Sequence, residues 1–62
     1  MYKNLKGLRA TYGLTQNDMA KILGISFVSY NQKEKGKQDF TLKEAKTIAK
    51  YFQTSIDFIF AT

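Results

Sequence analysis

Apolar residues return at three- and four-residue steps along most of the chain, the spacing of one face of an α-helix. Leu5, Leu8 and Tyr12 share such a face with the stem of Arg9 and predict a first helix from about Tyr2 to Tyr12. Met19, Ala20 and Leu23, with Ile22 at the edge, form the inner face of a second. A third runs from about Phe27 to Lys35. Leu42, Ala45, Ile48, Ala49 and Phe52 fall in one arc of a fourth, and Ile56, Ile59 and Phe60 close the core from a short fifth. No stretch alternates with the period of a strand. The pattern predicts an all-α chain, a compact five-helix bundle forming one domain over 1–62.

The residues between these faces carry the start and stop signals. There is no Pro, and Gly13, Gly24 and Gly36 stand where the first three helices should stop. Thr15 with Asp18, and Thr41 with Glu44, have the spacing of capping boxes, and Phe40 and Ala45 that of a hydrophobic staple. Ser26 and Ser55 are the expected N-caps of the third and fifth helices, and Asp57 suits the positive end of the last. Gly7 lies inside the first helix and costs it about 1 kcal/mol relative to Ala, so fraying is expected there. Gln53 stands where a terminating Gly is expected, which predicts a less well finished fourth helix.

Composition narrows what such a bundle can do. Sixty-two residues form one small domain, and 44% hydrophobic residues, including four Tyr and five Phe, suffice for a core. There is no Cys and no His, which removes disulfides, thiolate metal sites, the commonest metal ligand and the commonest general base. Ser26, Ser29 and Ser55 lack a base partner, and no two of the five carboxylates make an obvious acid–base pair. An enzyme is therefore not expected, nor a metal, a cofactor or a small-molecule ligand. MYKNLKGLRA contains no apolar run like a signal peptide, and no segment approaches a membrane span, so a cytoplasmic location is expected. Ten Lys/Arg against five Asp/Glu give +5, a balance suited to a polyanion.

Two short helices joined by a tight Gly-containing turn, over about 15–35, form a helix-turn-helix pattern, though an ordinary helical hairpin has the same outline. Leu14-Thr15-Gln16, Met19-Ala20, Leu23-Gly24-Ile25-Ser26 and Glu34-Lys35-Gly36-Lys37 favour the first. These residues resemble the phage-repressor family of helix-turn-helix proteins, the Cro/repressor-type or XRE-like domains. Phe40-Thr41-Leu42, Ile48-Ala49 and Ser55-Ile56-Asp57 extend the likeness to residue 60. The resemblance implies a lambda-repressor-like fold, sequence-specific binding of double-stranded DNA by a transcriptional regulator, and a third helix in the major groove, a geometry known from phage repressors. It also implies a phosphate contact at Gln16 and an Arg9–Glu34 salt bridge that orients the third helix.

Helical geometry adds a separate expectation. At 100° per residue, Phe27, Val28, Asn31, Gln32 and Lys35 share an arc of roughly 140°, while Ser29, Tyr30, Lys33 and Glu34 lie opposite. Asn31 and Gln32 have the amides that pair with adenine in the major groove, and Phe27 and Val28 suit thymine methyls. Lys35 can reach guanine or a phosphate, and Lys37 is the further phosphate candidate. Lys43, Lys46 and Lys50 are read as a solvated face. Four positions depart from the family: Lys33 replaces a core residue and is expected to snorkel to water or phosphate, Gln53 replaces Gly, and Phe27 and Val28 replace polar residues. The last departure sustains a second reading, a protein-binding module such as an antirepressor or co-regulator. A weak homodimer on a palindromic operator is expected, with exposed Tyr51 and Phe58 as its candidate interface.

Overall fold

A computed structural model describes residues 2–61. It contains five helices and, among those residues, no strand: α1 Lys3–Thr11, α2 Gln16–Leu23, α3 Phe27–Glu34, α4 Leu42–Phe52 and α5 Ile56–Phe60. Each boundary has a local cause. Thr15 and Thr41 close reciprocal capping boxes with Asp18 and Glu44, and the hydroxyls of Ser26 and Ser55 accept from Ser29 N and Phe58 N. These contacts satisfy amides that a helix start leaves without partners. Gly24 ends α2 in the left-handed region at φ 69°, where a Cβ would be strained.

Gln53 performs the same task for α4 without being Gly. It sits at φ 54°, ψ 49°, and the amides of Gln53 and Thr54 donate to the carbonyls of Lys50 and Ala49. The helix end is therefore closed, and the expectation of a poor stop is corrected. What the Gln side chain costs is backbone energy, about 1–2 kcal/mol for a left-handed L-residue.

α2 packs on α3 and α4, and α5 lies against both α1 and α4. Their shared core holds Leu5, Met19, Ala20, Tyr30, Ile48, Ala49, Phe52 and Ile59. Tyr2, Phe40 and Phe60 cover one side of it, with ring centroids 5.1–6.0 Å apart. Tyr30 approaches the same group through Phe40 at 6.0 Å. Tilted and edge-on pairs of this kind add to simple apolar burial. The Tyr2 amide also donates to the Glu34 carbonyl at 3.2 Å, which ties the start of α1 to the end of α3.

Leu42 and Tyr12 do not take the buried places their spacing predicts. Leu42 is 66% exposed. It lies about 20° from buried Ala49 on the helical wheel but two turns earlier, at the first position of α4. Tyr12 is exposed on one side while its ring meets Phe52 edge-on at 4.8 Å. No described helix is long and apolar enough to cross a membrane.

Candidate nucleic-acid interface

The helix-turn-helix unit begins at Thr15, turns through Gly24 and Ile25, and ends with α3. The turn is short because Gly24 reverses the chain and Ser26 immediately caps the next helix. Ile25 contributes to the joint: its amide donates to the Ala20 carbonyl, and its side chain packs on the core. α3 is thereby held against α2 with one side inward. Tyr30, Lys33 and Glu34 are buried on that side, while Phe27, Val28 and Lys35 are exposed and Asn31 and Gln32 half-buried. Phe27, Val28 and Lys35 on one side and Tyr30, Lys33 and Glu34 on the other follow the helical wheel, whereas Asn31 and Gln32 are half-buried like Ser29 on the opposite side.

A hydrogen-bonded cluster fixes α3 in rotation. Glu34 Oε2 accepts from Arg9 Nε at 3.0 Å, and Oε1 from Arg9 Nη2 at 3.1 Å. The same guanidinium donates through Nη1 to the Leu14 carbonyl at 3.0 Å, just before α2. The expected Arg9–Glu34 pair is thus present, forked, and linked to three helices. The Tyr30 hydroxyl donates to Glu34 Oε2 at 2.7 Å, and Gln16 Nε2 donates to Oε1 at 2.9 Å. Burial alone would raise the Glu34 carboxyl, but hydrogen bonds from Arg9, Gln16 and Tyr30 and the Arg9 charge hold it below its ordinary value. Burial and the neighbouring Glu34 push the Tyr30 phenol upward. Both groups therefore keep one protonation state around neutral pH.

Gln16 and Asn31 are more constrained than free surface amides. Gln16 opens α2 as expected, but its side chain lies along the cluster, donating to Glu34 and accepting from Asn31 Nδ2 at 2.8 Å. Gln32 makes no side-chain hydrogen bond among the described residues, and its carbonyl instead accepts from the Lys37 amide at 2.9 Å. That contact folds the segment after α3 back toward the helix. Lys35 and Lys37 are exposed nearby.

Lys33 is a correction. Its stem is buried, as snorkelling requires, but its Nζ ends on Glu44 Oε1 at 2.6 Å rather than in water or beside a phosphate. Glu44 serves two elements at once, since the same oxygen accepts from the Thr41 amide at 2.9 Å and caps α4. Burial would raise this carboxyl, yet the Lys33 bond and charge and the Thr41 contacts hold it low.

Tyr51 and Phe58 are both exposed, as expected. Among the described aromatic pairs, Tyr51 leans on Phe52 at 5.2 Å, and no pair joins it to Phe58. The Phe58 carbonyl accepts from Asn4 Nδ2 at 2.7 Å, which places that end of α5 beside the start of α1. Sequence reasoning missed the role of Tyr30 within the cluster, although a Tyr four residues before a Glu on one helix face was a usable signal. The Gln16–Asn31 bond had no such local signal.

The family model for helix-turn-helix domains matches residues 5–59. An uncharacterized HTH-type transcriptional regulator of Methanocaldococcus jannaschii is 48% identical over 60 residues, covering 97% of this chain and 91% of the relative. Two uncharacterized HTH-type transcriptional regulators of Archaeoglobus fulgidus are 35% and 37% identical over 60 residues, covering 97% of this chain and 86% and 84% of their own lengths. With the match reaching into all five helices, the chain belongs to the XRE-type helix-turn-helix family of DNA-binding domains.

Proposed function

We propose that this protein is a transcriptional regulator of repressor type that reads duplex DNA with α3. The observation that carries the proposal is the outer face of that helix: exposed Phe27, Val28 and Lys35 flank the amides of Asn31 and Gln32. The opposite face is locked by the Arg9–Glu34 fork. A major groove about 12 Å wide admits one α-helix, and this face offers hydrogen bonds and apolar contacts to base edges. Gln32 and Asn31 pair with bases, Phe27 and Val28 cover thymine methyls, and Gln16, Lys35 and Lys37 hold phosphates. Two copies on a palindromic operator, weakly associated in solution, bring together two short half-sites.

A salt titration against mixed-sequence duplex tests the reading. Log affinity falls linearly with log salt, with a slope of roughly −0.9 per phosphate neutralised. Gln32→Ala weakens binding to the preferred operator about tenfold or more and binding to mixed sequence much less, because phosphates carry no base identity. The relatives named as transcriptional regulators favour this reading.

The exposure of Phe27 and Val28 favours one alternative, in which the same face docks on another protein. Salt-independent weak association with DNA, together with an unchanged operator preference in Gln32→Ala, would move the conclusion there.

A further inference from the structure

The side-chain amides of Gln16 and Asn31 form a single file leading outward from the buried Glu34 carboxylate. Glu34 Oε1 accepts from Gln16 Nε2 at 2.9 Å, and Gln16 Oε1 accepts from Asn31 Nδ2 at 2.8 Å. An ionised carboxylate has no hydrogen to donate, so Gln16 must turn its NH2 group toward it. The Gln16 carbonyl oxygen then faces Asn31, which must answer with its own NH2. Asn31 is left with Oδ1 and one N–H for partners outside this file. Glu34 is kept anionic by the two Arg9 contacts and the Tyr30 hydroxyl. Without an acceptor-only group at its root, each amide would rotate by 180° in nearly the same space and reverse its polarity.

We infer that Glu34 and Gln16 are positioning residues for base reading, setting the donor–acceptor polarity of Asn31 on the outer face of α3. The inference rests on the DNA-binding reading proposed above. It assigns Gln16 a role that a phosphate contact alone does not require. Oδ1 is an acceptor, so it welcomes the exocyclic amine of adenine and opposes the O6 acceptor of guanine. A freely turning amide would present its NH2 to guanine O6 and tolerate both purines. The file therefore makes Asn31 discriminate adenine from guanine, and the discrimination originates in a carboxylate that touches no base.

Gln16→Lys separates positioning from phosphate contact. Lysine has only donors, so it still pairs with Glu34 and still suits a phosphate, but it offers Asn31 no acceptor. The base pair facing Asn31 is first located as the operator position whose preference changes in Asn31→Ala. At that position the wild-type protein prefers adenine over guanine by about tenfold or more. In Gln16→Lys the preference falls to about threefold or less, read as the ratio of affinities for the two bases, in which any change of phosphate contact cancels. In the free protein, hydrogen exchange at the Asn31 side-chain amide, followed by nitrogen-15 NMR, is several-fold slower than at exposed Asn17. Gln16→Lys removes that protection. A folded Gln16→Lys protein that keeps the full adenine preference overturns the inference and leaves DNA binding standing, as does an Asn31→Ala protein with unaltered base preferences. Failure of the wild-type protein to bind any duplex overturns the DNA reading itself.

Discussion

Replacing Glu34 with Ala strands more groups than any other single truncation in this cluster. The Glu34 side chain is 4% exposed and that of Arg9 14%, so neither charge has ready access to water. Four donated hydrogen bonds end on this carboxylate: two from Arg9, one from Gln16 and one from Tyr30. Truncation leaves a guanidinium with only its Leu14 carbonyl contact and a buried phenol with no acceptor. Removing one partner of a buried pair costs about 3–5 kcal/mol. The orphaned Tyr30 hydroxyl belongs within that range rather than on top of it, because the groups share one site. For a domain of this size the loss lowers the melting temperature by about 15 °C or more. Total stability of such domains lies toward the low end of about 5–15 kcal/mol, so Glu34→Ala is close to unfolded at 37 °C. Urea unfolding followed by circular dichroism measures the change. Tyr30→Phe, which deletes one donor and leaves the pair intact, costs only about 1 kcal/mol. Arg9→Met combined with Glu34→Leu recovers the part of the loss that comes from the stranded charge, while the Tyr30 hydroxyl stays without its acceptor. A Glu34→Ala cost below about 1 kcal/mol, or strict additivity of Arg9→Ala and Glu34→Ala, would refute the reasoning.

Three further outcomes are expected. Glu34 and Glu44 are both held below their ordinary values in the folded state, so their contribution to stability is fully present above the usual carboxylate range. It is lost as pH falls through the folded-state values, and urea midpoints measured down a pH series should drop more in the wild-type protein than in the Arg9→Met, Glu34→Leu protein. Gln53→Gly relieves the left-handed strain at φ 54° and raises stability by about 0.5–1 kcal/mol, read from the same urea curves, whereas Gln53→Val lowers it. Phe58→Glu puts a charge on the 48% exposed Phe58. If α5 joins two copies, cooperative binding to a palindromic operator weakens while half-site binding persists; equal cooperativity in a gel-shift titration would exclude that surface.

Much of the architecture was legible in the linear pattern because helices are local objects. The spacing of Ala45, Ile48, Ala49 and Phe52 selects a face, and Thr15, Ser26, Thr41 and Ser55 cap helices through contacts only three residues away. The outer arc of α3 was equally accessible, since 100° per residue separates Phe27, Val28 and Lys35 from Tyr30, Lys33 and Glu34 with no knowledge of the fold. The Arg9–Glu34 pair was available only through family resemblance, because nothing within 25 residues of sequence selects one carboxylate from five.

Tertiary structure decided what lay beyond a helical turn. Lys33 finds Glu44 because α3 and the start of α4 meet across a loop, and that meeting turned an expected free ammonium into a paired one. Leu42 remains in solvent because apolar character makes burial favourable only where a neighbour exists to cover it. The file from Glu34 through Gln16 to Asn31 joins residues 18 and 15 positions apart, and its direction follows from a carboxylate's inability to donate. The sequence by itself determined which residues form each helix and which side of α3 faces outward. Only the packing of α2 on α3 and the hydrogen bonds from Arg9 of α1 to Glu34 decided how that outer side is oriented, because partners for a polar atom are set by three-dimensional proximity and not by position along the chain.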